Sequence, residues 1–258
     1  MFKNGDIVNK VSKYFDYLRV RYVRKIGKDS DYLKSQSQKY FGKACLSFLF
    51  FVIAFGLTSF CILFRTQGIG VVEVVGFVAT LIGLLMFRYY QRKYHIYKSG
   101  RQGEKTVIST LTRSLSDDYY LINGVYLKEG GGDIDHVIVG PSGVYVLETK
   151  NWGGTIICNG DKWQRPGKTV IGSPSLQVKH NVQRIKKIVD VSSVFMGYGV
   201  YVKGIIVFTN VHVVLRISNS SVTVLRLSQL VSYIKNQENN CLTRVQIQKI
   251  VEQIQKVA

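Results

Sequence analysis

Two long uncharged apolar runs in the first third of the chain most constrain its fold. Residues 44–64 are 21 consecutive residues without a charge, and residues 68–87 are 20 residues whose single charge is Glu73. Because an α-helix rises about 1.5 Å per residue, each run spans roughly 30 Å, the thickness of a bilayer's hydrocarbon core. Only residues 65–67 separate the runs. The sequence predicts two transmembrane helices joined as a tight hairpin; two buried helices of a soluble core are the alternative.

Basic residues on the outer flanks of the hairpin predict its orientation. Residues 34–43 carry three lysines and residues 88–98 carry four Lys and Arg, whereas the loop carries only Arg65. Loops rich in Lys and Arg stay on the cytoplasmic side of a membrane. We therefore expect a two-pass protein of a bacterial-type inner or plasma membrane, with both termini in the cytoplasm.

The segment before the first run, residues 1–43, is a basic cytoplasmic arm in this interpretation. It carries 11 Lys and Arg against 4 Asp and Glu. Its apolar residues recur at helical spacing, which favours an amphipathic helix on anionic lipid. A solvated tail is the alternative. The apolar positions are Val8, Val11, Phe15, Leu18 and Tyr22.

The charge of the whole chain points to an anionic partner. The sequence has 35 Lys and Arg against 16 Asp and Glu, a net charge of +19. Such an excess favours binding to phospholipid, to nucleic acid or to both. The four cysteines are scattered, which argues against a zinc site and is compatible with a reducing cytosol. We expect membrane lipid and nucleic acid as partners, DNA more than RNA.

A soluble α/β domain follows the second run and occupies residues 95–258. Its apolar periodicity changes between the helical and the strand pattern, with Gly-rich turns between segments. Predicted helices cover residues 99–115, 228–235 and 243–257, with a further helix after Gln177. Predicted strands cover residues 119–127, 133–139, 144–150, 155–158, 162–164, 204–210 and 222–225.

Two of these strands form a predicted hairpin that gathers charged side chains. The turn Gly140-Pro141-Ser142-Gly143 joins residues 133–139 to residues 144–150. Side chains alternate between the two faces of a strand, so Glu148 and Lys150 share one face. Since the start of the first strand lies beside the end of the second, Asp135 is expected next to Glu148, with Lys150 alongside.

Two carboxylates beside a lysine suit phosphoryl chemistry. Carboxylate oxygens hold Mg²⁺, which keeps several water ligands and can generate hydroxide. A lysine can orient the attacking water or neutralise charge in the transition state. A salt bridge that closes the end of the hairpin is the alternative. Taken alone, the pattern leaves both interpretations open.

Residues outside the hairpin are further candidates. Glu104 points along the apolar face of the first soluble helix, where a carboxylate is costly unless it is paired or bound to a cation. The alternative is a first-turn glutamate favoured by the helix dipole. Lys179, Asn181 and Arg184 follow Gln177 on a basic helix that could track a phosphate backbone. A solvated helix face is the alternative there.

Five segments together resemble one protein family. The chain is similar over residues 99–212 to the nuclease-related domain family, which is similar in turn to the broad PD-(D/E)xK nuclease superfamily. The matching segments are Gly103-Glu104, Asp133-Ile134-Asp135-His136, the turn at residues 140–143, Glu148-Thr149-Lys150-Asn151-Trp152 and residues 174–181 around Gln177.

The resemblance implies a fold and a set of roles. The fold is a mixed β-sheet flanked by helices, a restriction-endonuclease-like core. Mg²⁺ or Mn²⁺ is expected at Asp135 and Glu148 with help from Glu104, Lys150 is expected to act on the water, and Gln177 is expected to contact substrate or support the site. The implied function is a membrane-anchored, metal-dependent nuclease. The alternative is a non-catalytic module that tethers nucleic acid or a protein to the membrane.

Overall fold

The computed structural model describes most of the chain as two compact units. The described residues are 23–27, 31–64, 70–127, 132–168, 172–190, 200–237 and 242–257. One unit covers residues 28–105, and the other combines residues 106–258 with the N-terminal segment up to Gly27. The predicted amphipathic positions from Val8 to Tyr22 and the loop at residues 65–67 lie outside the described residues.

The first unit consists of the long helix α1 (Asp31–Leu63) and residues 71–105 of a second long helix, α2 (Val71–Ser114). Both are long and apolar enough to cross a membrane by length and composition, and only 6% of each apolar window is buried. They run antiparallel, because Tyr40 stacks on Tyr97 at 5.4 Å while Phe48 contacts Phe87 at 5.2 Å. The two helices are therefore compatible with a membrane hairpin.

Close packing within this pair depends on a glycine. A Cβ on Gly76 would clash with Thr58 Oγ1, and Gly83 also faces the backbone of α1. Small residues let helix backbones approach closely where burial of apolar surface gives no driving force, as in lipid. The helix α2 does not end with the apolar run but continues to Ser114. The predicted helix at residues 99–115 is its C-terminal part, since residues 88–98 contain no proline or glycine.

The second unit is built on a mixed six-stranded sheet. Strand order is β1-β2-β3-β4-β7-β9. The pairs β2/β3 and β3/β4 are antiparallel, and the pairs β1/β2, β4/β7 and β7/β9 are parallel. The strands are β1 (Arg24–Ile26), β2 (Tyr120–Tyr126), β3 (Asp133–Gly140), β4 (Gly143–Lys150), β7 (Val202–Phe208) and β9 (Thr223–Arg226).

Helices cover both faces of this sheet. On one face, α3 (Pro174–Asp190) and α5 (Arg244–Val257) bury Val137 and Val146. On the other face, residues 106–114 of α2 and α4 (Leu227–Lys235) bury Ile138. The α/β class with a mixed sheet flanked by helices is therefore confirmed.

A smaller sheet lies at the end of the site-bearing strands. It consists of β5 (Gly154–Asn159), β6 (Lys162–Gln164) and β8 (Val213–Ser218) in the order β6-β5-β8. Its core joins Ile156 and Trp163 to Val178 of α3 and Phe208 of β7. The strand β8 was not predicted, because most of its side chains are exposed and give no alternating apolar pattern.

The strand β1 was not predicted either, and it comes from the segment before the hairpin. Arg24–Ile26 pairs in parallel with Tyr120–Ile122 of β2. Val23 is buried in the core, and Arg24 donates to the Tyr120 hydroxyl 96 residues later at 2.6 Å. The chain therefore enters the second unit, leaves it for α1 and α2, and returns to the same sheet.

Candidate functional site

The β3–β4 hairpin sets the positions of the central charged residues. Its paired residues run from Gly140 opposite Gly143 at the turn to His136 opposite Leu147. The next positions in this register are Asp135 and Glu148, where the backbone ladder ends. Gly143 has a φ of +127°, which only glycine adopts without strain. The tight turn thus fixes the register that brings Asp135 and Glu148 together, as the sequence predicts.

Asp135 closes the open end of the hairpin. Its Oδ2 accepts the backbone N–H of Thr149 at 2.7 Å. The side chain is half-buried, so one edge of the carboxylate is held by the backbone of β4 while water can still reach the group. A charged acceptor of a backbone N–H makes one of the stronger hydrogen bonds in proteins, and the bond fixes the rotamer of Asp135.

Glu148 is buried beside the ammonium group of Lys150. Its side chain is 3% exposed, and Lys150 Nζ donates to its Oε1 at 2.5 Å. Burial raises the pKa of the Glu148 carboxyl, while the charge and hydrogen bond of Lys150 act in the opposite direction. Oε2 is buried and has no hydrogen-bond partner within the described part of the chain. A buried acceptor without a donor is unfavourable unless a ligand fills the place.

Lys150 connects the hairpin to helix α3. Its Nζ also donates to Gln177 Oε1 at 3.3 Å, a longer bond than the one to Glu148. Helix α3 reaches this position because β7 carries Gly204, where a Cβ would lie 2.8 Å from Val178 Cγ1. The absence of that side chain lets α3 lie close to the sheet and brings Gln177 over the end of β4.

Residues 99–209 match the sequence model of a protein family described as the nuclease-related domain. Over these residues, which are less than half of the chain, the protein is similar to the nuclease-related domain family. The similarity indicates a function related to that of nucleases and an interaction with nucleic acid in general. The four residues described above, Asp135, Glu148, Lys150 and Gln177, all lie inside the matched segment.

A curated relative matches about a third of the chain. A protein of Bacillus anthracis that is described as uncharacterized is 36% identical over 88 residues, which are 33% of this chain and 42% of that protein. The match thus spans about two fifths of the relative's length. No solved structure matches the chain.

Two carboxylates of the matched segment could hold a divalent cation. Asp135 and Glu148 occupy adjacent positions at the hairpin end, and Glu148 Oε2 lacks a donor in the described residues. Hard oxygen ligands suit Mg²⁺, which completes its octahedron with water and substrate phosphate rather than with an all-protein cage. In the described ranges, no group of three or more His, Cys, Asp or Glu could hold an ion. Asp135 and Glu148 are therefore the residues that could hold such an ion.

Glu104 lies on α2 in the first unit, one residue before that unit ends at Lys105. Its side chain is half-buried and has a partner of its own. Its predicted part in the metal shell stays a prediction.

The three predicted substrate contacts on α3 have partners within the matched segment. Lys179 Nζ pairs with Asp161 Oδ2 at 2.7 Å and lowers the pKa of that carboxyl. Arg184 is buried and donates to the carbonyls of Leu127 and Gly132 and to Asn181 Oδ1. Asn181 is itself 1% exposed. Their predicted role in substrate binding stays a prediction, and the buried Arg184 and Asn181 also help to hold α3 in the fold.

Two residues beside the site were not predicted as a pair. The Trp152 ring lies 5.6 Å from Lys150 Nζ and 4.8 Å from Arg165 Cζ, measured to the ring centroid. Trp152 belongs to the family-like segment that also contains Lys150, so the sequence pattern could identify the tryptophan. Arg165 lies 13 positions further along and follows β6, so only the tertiary structure brings the two together.

Proposed function

We propose that this protein is a membrane-anchored nuclease that hydrolyses phosphodiester bonds with Mg²⁺ or Mn²⁺. The observation that carries the proposal is the convergence of Asp135, Glu148, Lys150 and Gln177 at one end of the β3–β4 hairpin within the matched segment. DNA is the preferred substrate in this proposal, and the basic character of the chain supports a polyanion.

Each side chain has a defined part in the proposed reaction. Asp135 and Glu148 would hold the cation, and Glu148 has a buried oxygen without a donor in the described residues. The bound ion would supply a hydroxide at neutral pH and would offset charge on the phosphoryl oxygens. Lys150 orients the attacking water, and Gln177 keeps the Lys150 ammonium over the site. The family resemblance adds Glu104 as a supporting carboxylate.

The pairing of β1 with β2 constrains the orientation of the proposed membrane hairpin. The strand β1 precedes α1 and β2 follows α2, yet the two strands are neighbours in one sheet. If α1 and α2 cross a bilayer, both flanks of the hairpin must therefore be on the same side. Because Lys and Arg are concentrated in these flanks, we propose that this side is the cytoplasm of an inner or plasma membrane, with anionic lipid as a partner.

Replacing Asp135 with asparagine tests the proposal with little change to the fold. The amide oxygen of the new side chain can still accept the Thr149 N–H, but the charge that holds a cation is gone. We expect the full chain in detergent micelles to lose cleavage of a DNA duplex by about a hundredfold or more in Mg²⁺. EDTA should abolish the wild-type activity. Binding of Mn²⁺, followed by its electron paramagnetic resonance, should weaken in parallel.

The matched control is Asp133→Asn. Asp133 lies on the same strand two residues earlier, is exposed, and undergoes the same chemical change. This variant should cleave at the wild-type rate. Full cleavage by Asp135→Asn would remove the proposed metal site. Salt-dependent binding of DNA without cleavage by the wild-type chain would favour the alternative, a non-catalytic binding module.

A further inference from the structure

A cationic platform lies beside the proposed site, formed by Trp152, Lys150 and Arg165. The guanidinium carbon of Arg165 is 4.8 Å from the centre of the Trp152 ring, and Lys150 Nζ is 5.6 Å from the same centre. Both distances fall within the roughly 6 Å over which a ring attracts a cation. The platform therefore extends the positive charge of Lys150 away from Glu148 and toward the small sheet.

The tryptophan at the centre of the platform is held in place. Its ring meets Phe208 edge-on at 6.1 Å, and Phe208 stacks on Trp163 at 6.0 Å. Trp163 is anchored in turn, because its indole N–H donates to Ser175 Oγ at 2.8 Å at the start of α3. A ring fixed by packed neighbours can orient a cation without a large loss of side-chain entropy.

A tight turn presents Arg165 to this ring. The Lys168 N–H donates to the Arg165 carbonyl at 2.9 Å, and Gly167 has a φ of +72°. Proline at position 166 followed by a glycine with positive φ is typical of a type II turn, in which proline fixes one backbone dihedral. The turn comes directly after β6, so the backbone of Arg165 is positioned by the small sheet.

The described residues leave part of the hydrogen-bonding capacity of the Arg165 guanidinium unused. Among the described residues it has no carboxylate partner, and its hydrogen bond to the Gly153 carbonyl is long at 3.4 Å. Its Nε is buried without an acceptor in the same set of residues. An arginine remains charged in proteins and offers a planar fork of N–H groups. A half-buried guanidinium whose Nε has no acceptor in the described residues is suited to bind an anion.

We infer that Arg165, oriented by Trp152, binds a backbone phosphate of nucleic acid next to the scissile phosphate of the proposed reaction. The inference rests on the proposed function and adds a substrate-positioning residue to it. A phosphate suits the fork of Arg165, which forms paired N–H···O bonds that lysine cannot form. A nucleobase stacked on Trp152 fits less well, because two cations already lie against that ring.

The test is a binding measurement that does not depend on cleavage. The full chain in detergent micelles is titrated with a short DNA duplex in Ca²⁺, over a range of salt concentrations. Arg165→Gln should weaken binding by about tenfold and lower the slope of log affinity against log salt by about one. The control Lys256→Gln removes an exposed charge from α5 and should leave the slope unchanged.

Two further arms separate phosphate binding by Arg165 from stacking of bases on Trp152. Trp152→Phe should retain binding since it keeps a ring for the guanidinium, whereas Trp152→Ala should weaken binding as Arg165→Gln does. A single strand made of abasic residues should depend on Arg165 as strongly as the matching strand with bases. Dependence on Arg165 only when bases are present would mean stacking on Trp152 and would overturn the inference.

The same measurements distinguish a failure of the Arg165 inference from a failure of the proposed nuclease activity. Loss of affinity in Arg165→Gln together with a wild-type chain that never cleaves DNA would support the platform and reject catalysis. Cleavage with unchanged affinity and salt slope in Arg165→Gln would reject the platform and leave catalysis standing. If Arg165→Gln does not fold, Arg165→Lys decides: weaker binding with an unchanged salt slope supports the fork, and wild-type affinity overturns it.

Discussion

The Lys150→Ala variant is expected to lose cleavage. It is also expected to have a lower free energy of unfolding than wild type, with the largest difference at neutral pH. Loss of one positioned donor for transition-state charge reduces catalytic rates by about a hundred- to a thousandfold. The effect on the fold arises because Glu148 is buried and Lys150 is its cation. Removal of one partner of a buried ion pair costs about 3–5 kcal/mol.

The pH dependence follows from the direction of the Glu148 pKa. The folded-state pKa of this carboxyl is raised by burial, and Lys150 limits the rise. A group with a raised folded pKa stabilises the fold below its unfolded pKa, and this contribution is lost as the pH rises through the folded pKa. Without Lys150 the rise is larger. The variant should therefore be close to wild type below about pH 4 and should fall behind it toward neutral pH.

Thermal unfolding of the full chain in detergent, followed by circular dichroism across this pH range, measures the difference between variant and wild type. The double variant Lys150→Ala with Glu148→Gln is the matched control, since it removes the uncompensated carboxylate. It should recover most of the lost stability and still fail to cleave DNA. If the difference in stability between Lys150→Ala and wild type is the same at acid and at neutral pH, the burial of Glu148 is contradicted.

The second large effect is expected at Arg184. Its guanidinium connects α3 to the segment between β2 and β3 through the carbonyls of Leu127 and Gly132, at 3.2 Å and 3.0 Å. Arg184→Ala leaves these acceptors and Asn181 Oδ1 without their donor. We expect a loss of about 2–4 kcal/mol in the free energy of unfolding, measured by denaturant titration.

The control for Arg184 is Lys187→Ala, an exposed cation about one turn further along α3. A surface substitution of this kind should change stability by no more than about 0.5 kcal/mol. The same pair tests the sequence-based role of Arg184 in substrate binding. If Arg184→Ala lowers the salt slope of DNA binding by about one while the protein is folded, the residue contacts a phosphate as predicted. An unchanged slope limits Arg184 to the fold.

The central charged residues could be predicted because their placement is local. Asp135 and Glu148 lie 13 positions apart on two strands joined by one tight turn, and the two-residue side-chain period fixes which residues share a face. The turn sequence Gly-Pro-Ser-Gly identified the hairpin, so the register followed. The roles assigned to these residues remain predictions that the variants above can decide.

The long helix α2 shows where sequence patterns stop being informative. The apolar run ends at residue 87, and a new amphipathic pattern begins near residue 99. Between them the basic residues have good helix propensity and no breaker, so one helix passes through both patterns. A change in hydrophobic periodicity reflects a change in the surroundings of a segment. It does not by itself mark the end of a helix or strand.

By itself the sequence determined which segments are compatible with a bilayer and which residues meet at the end of the hairpin, because both depend on neighbours in the chain. The tertiary structure alone decided the partners that come from distant segments. The strand β1 joined the sheet across 96 residues, Gln177 reached Lys150 because Gly204 lets α3 approach, and Arg165 met Trp152 through the small sheet. Such contacts are selected by the packing of whole elements, and no local pattern records them.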